Sequence, residues 1–164
     1  MTEIKFRKNN IISSLIFCLL GLSFSIYLLI SQDILVKFIA VVWIIIILYV
    51  LFIKSRQLDK TNKGIPGLEI NSQGIINYTS LYPLLIEWND IENFKSGFYR
   101  TTNILINSKN PEKYKSKNTS YPLQLIDRCF SSKPDTLWID TEALDIEKDE
   151  LLRLLNQMFN KKNR

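Results

Sequence analysis

The run "IIIILYVLFIKSRQLDK", Ile44 to Lys60, changes from ten consecutive apolar residues to a basic and polar segment at Lys54. The apolar part belongs to a longer stretch, residues 34–53, that is twenty residues long. A helix rises about 1.5 Å per residue, so such a stretch reaches about 30 Å, the thickness of the hydrocarbon core of a bilayer. We therefore predict a membrane-spanning helix whose charged end begins at Lys54.

A second apolar run, Ile11 to Ile30, precedes it and contains no charged residue. Its serines are compatible with a membrane helix, because a helical hydroxyl can donate a hydrogen bond to the carbonyl one turn back. Only three residues, 31–33, separate the two runs. That connection is too short to hold a domain, so residues 11–53 are predicted to form an antiparallel two-helix hairpin.

Charge predicts the orientation of this hairpin. Basic residues flank its outer ends, whereas its turn carries one lysine, which can extend to the headgroups. The positive-inside rule then places both termini in the cytoplasm. The predicted membrane-interface residues are Lys5, Arg7, Lys8, Lys37, Lys54 and Arg56.

Two other interpretations of the apolar runs fit less well. A cleaved signal peptide would have one shorter apolar core and a small-residue cleavage site, and here a second span follows at once. A water-soluble helical hairpin would show a polar stripe at helical spacing on each run, and neither run has one.

Composition narrows the classes of partner and chemistry. The formal charge of +5 belongs to the first 63 residues, since basic and acidic residues balance from Gly64 onward. Its expected partner is the lipid bilayer and not nucleic acid. The chain has no histidine, and its two cysteines, Cys18 and Cys129, lie in different environments. We expect no cofactor, no metal site and no enzymatic activity.

The polar half predicts a separate folded domain. We divide the chain into a basic N-terminus (1–10), the hairpin (11–53), a juxtamembrane linker (54–63) and a domain (64–164). Alternating apolar residues predict six strands after Pro66, the first two joined by a turn at Asn71 to Gly74. Asn110 and Pro111 predict the start of a short helix, "YPLQLIDRCF" predicts another, and "IEKDELLRLLNQMF" an amphipathic C-terminal helix.

The fold class is therefore a membrane α-helical hairpin plus an α+β domain with an antiparallel sheet and a C-terminal amphipathic helix. The run "LEINSQGIINYTSLYPLLIEWNDIENF", with "GI" opening a strand and "W-x-D-I" after another, resembles the bacterial PH-like domains. Together with "TLWIDTEALDIEKDELLRLLNQMF" and the two N-terminal spans, it is similar to a family of small bacterial membrane proteins. The resemblance implies a PH-like domain at the inner membrane and a core role for Trp88, and it implies no activity.

Two basic patches are the candidate contact sites. Phosphoinositide-binding PH domains place basic residues in the turn of the first hairpin, and the turn at Asn71 to Gly74 has no charge, which argues against that mode. The patch "KSGFYR" combines cations with aromatic residues, a composition suited to a lipid interface or a protein partner. The second patch is lysine-rich. The candidate partner or lipid contacts are Lys95, Phe98, Tyr99, Arg100, Lys113, Lys115 and Lys117.

The sequence thus predicts a non-catalytic protein-interaction module anchored in the inner membrane, with an unidentified protein partner. One alternative is an immunity or antitoxin-type protein that neutralises a cognate toxin. Another is a module that senses lipids at the membrane surface. "NYT" at Asn77 and "NTS" at Asn118 match the glycosylation pattern, and a cytoplasmic location makes both matches chance.

Overall fold

The structure is a computed structural model that describes residues 1–31, 33–80, 82–96, 103–115 and 137–162. It divides into two compact units. One unit is Lys8–Gly64, and the other combines Met1–Arg7 with Ile65–Arg164. The first seven residues therefore belong to the folded domain, although the helical unit separates them from the rest of it along the chain.

The helical unit consists of α1 (Lys8–Leu28) and α2 (Ile34–Asn62). Three serines of α1 donate their hydroxyls to the carbonyls four residues back, which confirms how the sequence accommodates them: Ser14 to Asn10, Ser23 to Leu19 and Ser25 to Gly21. Asp33 caps α2, because its carboxylate accepts the amide of Leu35 at 2.8 Å.

Both helices are long and apolar enough to cross a membrane. Where they pack on each other, Gly21 lies against Ile47, and a Cβ at Gly21 would come within 3.2 Å of the Ile47 Cδ1 atom. The other faces carry exposed large apolar side chains, among them Phe17, Phe24 and Phe38. The helix of a water-soluble core would bury such residues, so the exposed faces suit a hydrocarbon environment.

The folded domain contains two antiparallel sheets. The first has four strands, β1 (Thr2–Ile4), β2 (Leu68–Ile70), β3 (Gly74–Asn77) and β4 (Leu84–Glu87), in the order β1-β2-β3-β4. The second has three strands, β5 (Ile91–Ser96), β6 (Asn103–Ser108) and β7 (Leu137–Asp140), in the order β5-β6-β7. The short helix α3 (Pro111–Lys115) follows β6, and α4 (Lys148–Lys162) comes last.

Strand alternation creates the core. Ile75 pairs directly with Ile86, and Ile106 with Leu137, and all four side chains are buried. The amphipathic α4 adds Leu151 and Leu155, both fully buried, to the same cluster. The ring of Phe159 meets Phe94 of β5 edge to face, with centroids 5.9 Å apart. The two sheets and α4 therefore share one hydrophobic core.

The N-terminal residues pair with two separate segments of the folded domain. On one side β1 pairs with β2, in the register Thr2 to Ile70, Glu3 to Glu69 and Ile4 to Leu68. Residues 5–7 pair instead with the segment after β7, where the amide of Arg7 donates to the carbonyl of Ala143 at 2.8 Å and that of Asp145 to the carbonyl of Lys5 at 2.9 Å. The first seven residues thus contribute backbone pairing to the first sheet and to the segment that follows the second sheet.

The turn at Asn71 to Gly74 forms as predicted, but it joins β2 to β3. The Asn71 carboxamide oxygen accepts the amides of Gln73 and Gly74, at 2.9 and 3.1 Å. A Cβ at Gly74 would overlap the carbonyl oxygen of Ile86 on β4, so only glycine allows this close approach. The first two strands of the domain are β1 and β2, and the whole helical hairpin connects them.

Most predicted elements are confirmed: the two apolar helices, the antiparallel strands after Pro66, α3 starting at Pro111, and α4. Two boundaries differ. The segment 1–10 is not a separate basic tail, because it contributes β1. The predicted juxtamembrane linker, 54–63, is helical, because α2 continues to Asn62 and ends before Gly64, which has a φ of +71°. The predicted helix "YPLQLIDRCF" lies outside the described residues.

Replacing Phe6 by alanine should destabilise the folded domain by about 3 kcal/mol, because the substitution empties a buried site beside Gly67 and Leu144. Phe6 is 6 % exposed and forms a β-bridge with Leu144. Urea unfolding followed by tryptophan fluorescence measures the change. Lys5→Ala is the matched control, since its side chain is exposed, and it should change stability by less than about 0.5 kcal/mol. Equal effects of the two substitutions would contradict this account of the N-terminal residues.

Candidate functional site

A buried carboxylate lies where the two sheets are joined. A single 3₁₀ turn, Trp88–Asp90, connects β4 to β5. It places Asp90 inside the domain, where the residue is 8 % exposed. Its carboxylate accepts three hydrogen bonds: from the Tyr114 hydroxyl at 2.6 Å, from the Lys113 Nζ at 2.7 Å and from the Asn110 Nδ2 at 2.9 Å. All three donors come from α3 or the residue before it.

The backbone of the turn takes part in the same network. The Asp90 carbonyl accepts the amide of Lys109 at 2.8 Å and the Ser108 hydroxyl at 3.2 Å. The Tyr114 oxygen also accepts the amide of Glu87 at 3.3 Å, while Lys113 forms a second ion pair with the Glu87 carboxylate at 2.7 Å. These bonds attach α3 to the end of β4 and to the turn after it.

Electrostatics favour the ionised carboxylate and the protonated phenol. Hydrogen bonds from Lys113, Tyr114 and Asn110 lower the pKa of Asp90 to about 2. Burial and the bond to Asp90 raise the pKa of Tyr114 to about 12. The ion pairs with Asp90 and Glu87 raise the pKa of Lys113. None of these three groups exchanges a proton near neutral pH, so the cluster is suited to holding structure and not to general acid or base catalysis.

Trp88 and Asp90, the first and last residues of the 3₁₀ turn, have separate roles. Trp88 is buried, at 4 % exposure, and its indole nitrogen donates to the Asn71 carbonyl at 2.9 Å. Its predicted role in the core is confirmed. Asp90 was not singled out from the sequence, although it stands in the quoted "W-x-D-I" pattern. A carboxylate two residues after a core tryptophan and before a buried isoleucine was the available signal.

The predicted contact residues do not form one cluster in the described structure. Lys95 is exposed on β5. Lys113 is exposed too, but its amine forms ion pairs with Asp90 and Glu87. We therefore assign Lys113 a structural role. Lys115 is the last residue of α3, and nothing is described of its side chain. Four predicted residues lie outside the described ranges: Phe98, Tyr99, Arg100 and Lys117.

The predicted membrane-interface residues have two kinds of environment. Arg7 is half-buried in the folded domain, where it forms ion pairs with Glu147 at 3.2 Å and Asp145 at 3.6 Å. Lys5 is exposed beside it. The rest lie on the helices: Lys8 begins α1, Lys37 is in the first turn of α2, Lys54 follows the apolar part, and Arg56 lies over the Phe52 ring at 5.4 Å. Arg7 is therefore better assigned to the domain than to a membrane surface.

Sequence reasoning did not identify the outer face of the first sheet. The register places four side chains in one row across four strands: Glu3, Glu69, Ile76 and Leu85. Leu85 is 38 % exposed, and Ile76 and Glu69 are half-buried. Within "LEI" and "LLIE" the alternation shows which residues point outward. The alternation does not reveal that Glu3 extends the row, because β1 is separated from β2 in the sequence by both helices.

Asn77, the first residue of one glycosylation-like pattern, is 2 % exposed. Its Nδ2 atom donates to the Trp138 carbonyl on β7 at 2.9 Å, and its oxygen accepts the amide and hydroxyl of Thr79. This side chain links the two sheets and is not accessible in the folded domain. Asn118 lies outside the described residues.

Comparison with protein families, with curated proteins and with solved structures gives no match to this chain. Among the residues that the structure describes, no group of three or more cysteine, aspartate or glutamate side chains is placed to hold a metal ion.

Replacing Asp90 by asparagine should destabilise the domain by about 2 kcal/mol at pH 7, because hydrogen bonds to a charged group are lost and Lys113 loses a buried partner. The pKa of Asp90 is below its unfolded value of 3.8. Its stabilisation is therefore present above about pH 4 and is lost as the pH falls toward 2. Urea midpoints measured from pH 7 to pH 2 report both effects.

The matched control for that prediction is Glu92→Gln, which removes an exposed carboxylate from β5. It should leave the free energy of unfolding at pH 7 within about 0.5 kcal/mol of the wild-type value. The Asp90→Asn protein should also lose less stability than the wild type between pH 4 and pH 2. An unchanged midpoint for Asp90→Asn at pH 7 would show that the cluster does not stabilise the fold.

Proposed function

We propose that this chain is a non-catalytic protein-interaction module anchored in the bacterial inner membrane, with a PH-like domain and both termini in the cytoplasm. The observation that carries the proposal is the pairing of β1 with β2. One strand precedes α1 and the other follows α2, yet they are neighbours in one sheet. Both outer ends of the hairpin then lead into the same folded domain, which requires them to be on the same side of a bilayer.

The same pairing weighs against a cleaved signal sequence. Cleavage after α1 would separate β1 from the domain, and with it two core side chains, Ile4 and Phe6, each 6 % exposed. The edge of β2 would then be left without its partner strand. Because the folded domain includes residues that precede α1, the domain is more stable when α1 is retained.

The basic residues around the hairpin support a cytoplasmic domain. Lys5 and Lys8 precede or begin α1, and Lys54 and Arg56 follow the apolar part of α2, while Lys37 is near the turn. Arg7 contributes less to this argument, since it forms ion pairs with Asp145 and Glu147. Even without Arg7, the outer ends of the hairpin carry more basic residues than its turn, which favours a cytoplasmic location for the outer ends.

The strand arrangement supports a PH-like domain. PH-like folds combine antiparallel sheets with one C-terminal helix, and this domain has a four-stranded and a three-stranded antiparallel sheet followed by α4. Leu151 and Leu155 of α4 pack into the core, as expected for the C-terminal helix of a PH-like fold. The unusual feature of this version is the connection between β1 and β2, which is the membrane hairpin itself.

Two observations support binding over catalysis. The carboxylate with the largest described pKa change, Asp90, has its hydrogen bonds committed to α3, so its perturbation has a structural cause. The outer face of the first sheet, by contrast, exposes apolar and acidic side chains together. A tethered domain also meets membrane-bound partners at a raised effective concentration without any new contact. An immunity protein would be a special case, since it too binds a protein at the membrane.

Reporter fusions test the orientation on which this function rests. We expect a reporter that is active only in the cytoplasm to be active when fused after Arg164 and inactive when inserted after Gln32. The reason is that both outer ends of the hairpin enter one folded domain and carry the basic residues. A control fusion after Met1 should match the fusion after Arg164.

Activity at Gln32 with none at Arg164 would place the domain outside the cytoplasm and contradict the proposal. Activity at all three positions would show that the hairpin does not span the membrane. In that case the chain would be a peripheral or soluble protein, and the partner would have to be sought elsewhere.

A further inference from the structure

The outer face of the first sheet has two chemically different halves. Direct pairing places Glu3 opposite Glu69, Glu69 opposite Ile76, and Ile76 opposite Leu85. Neighbouring strands are about 4.8 Å apart, so the row is about 14 Å long. One half of it is acidic and the other is apolar. The opposite faces of the same strands supply the core, so this row is the surface that the domain presents outward.

Within the described ranges of the domain, the apolar half of this row is the main exposed apolar surface. Among the described residues of the domain, the exposed large hydrophobic side chains are Met1, Tyr82 and Leu85. Tyr82 is 60 % exposed and lies two residues before β4, and Leu85 is 38 % exposed on β4. Ile76 pairs directly with Leu85, so these two side chains form a small apolar patch, and exposed apolar patches of this kind mark protein interfaces.

The acidic half is held at an energetic cost. Like charges directly opposite each other on neighbouring strands destabilise a sheet, and Glu3 faces Glu69 in this way. Asn71 relieves one of them only in part, through a bond from its Nδ2 atom to the Glu69 Oε1 atom at 3.0 Å. Burial raises the pKa of Tyr78, and the charges of Glu69 and Glu3 raise it further.

We propose that this row, Glu3, Glu69, Ile76 and Leu85, is a docking surface for a basic amphipathic segment of a partner protein. The proposal rests on the protein-binding function proposed above and names its surface. A cationic side chain on the partner would relieve the repulsion between Glu3 and Glu69, and apolar side chains on the same segment would cover Ile76, Leu85 and Tyr82.

Charge decides between this occupant and others. The anionic headgroups of the cytoplasmic leaflet would be repelled by the two carboxylates, so a lipid surface does not fit the acidic half. An acidic protein is excluded for the same reason. A purely basic partner would leave the apolar half uncovered. A segment that carries lysine or arginine beside leucine-like residues complements both halves.

The test uses the full-length protein in nanodiscs of neutral phosphatidylcholine. The probe is a fluorescein-labelled amphipathic peptide made of lysine and leucine, and the comparison peptide replaces each lysine by glutamate. Fluorescence anisotropy gives each Kd, with empty nanodiscs as the background. We expect saturable binding of the lysine peptide and a weaker affinity for the glutamate peptide.

Three variants locate the binding. Glu3→Lys should weaken the lysine peptide about tenfold, because it replaces an attractive charge by a repulsive one. Leu85→Ser should weaken it about fivefold or more, because it removes an apolar anchor. The matched control is Glu92→Lys, which makes the same charge change on an exposed position of β5. It should leave the Kd within about twofold of the wild type.

A charge swap completes the experiment. The double variant Glu3→Lys/Glu69→Lys should prefer the glutamate peptide over the lysine peptide. The surface is wrong if Glu92→Lys weakens binding as much as Glu3→Lys, if Leu85→Ser has no effect, or if no saturable binding occurs. Retention in the nanodisc is read separately by gel filtration. Protein that binds the peptide without staying in the bilayer would overturn the membrane anchor and leave this surface in place.

Discussion

The pairing of β1 with β2 is the constraint on which the rest of the structure depends. A strand of three residues, Thr2–Ile4, lies on the edge of β2, and its partner follows two long apolar helices. The residues after it, 5–7, pair with the segment that follows β7. The first sheet therefore needs the N-terminus, and so does the segment after β7 for its backbone pairing. A domain built this way is completed only when both ends of the helical hairpin reach it, which makes the hairpin part of the topology of the domain.

Polar groups inside this domain serve the fold, and the outward-facing row offers binding. Asp90 attaches α3 to the turn between the sheets through three side-chain hydrogen bonds, and Asn77 links β3 to β7. Both are buried and have partners, as polar groups in a low-dielectric interior require. Glu3 and Glu69 differ, because they face each other on the surface. Within the fold Asn71 donates to Glu69, and the proposed partner would supply the cation that balances the two charges.

Much of the fold could be predicted from the sequence, because the physical signals were local. Two apolar runs of bilayer length predicted the helices, alternation predicted the strands after Pro66, and the spacing of Leu151 and Leu155 predicted α4. Three features were missed. In β1 only Ile4 is apolar, and its strand partner β2 lies beyond the hairpin, so no local pattern predicts the strand. Residues 54–62 are polar apart from Leu58, but they contain no glycine or proline, so α2 continues through them. The role of Asp90 depends on Tyr114, which lies on another element.

The most direct test of the central claim is a disulfide between positions 3 and 69 in isolated membranes. Directly opposite residues on antiparallel strands have Cα atoms about 4.5–5.5 Å apart, which suits a disulfide. In a chain whose Cys18 and Cys129 are replaced by serine, Glu3→Cys/Glu69→Cys should cross-link on mild oxidation. Glu3→Cys/Ile76→Cys, one strand further away, should not. Efficient cross-linking of the second pair, or none of the first, would show that β1 does not lie on β2 and would contradict this account of the fold.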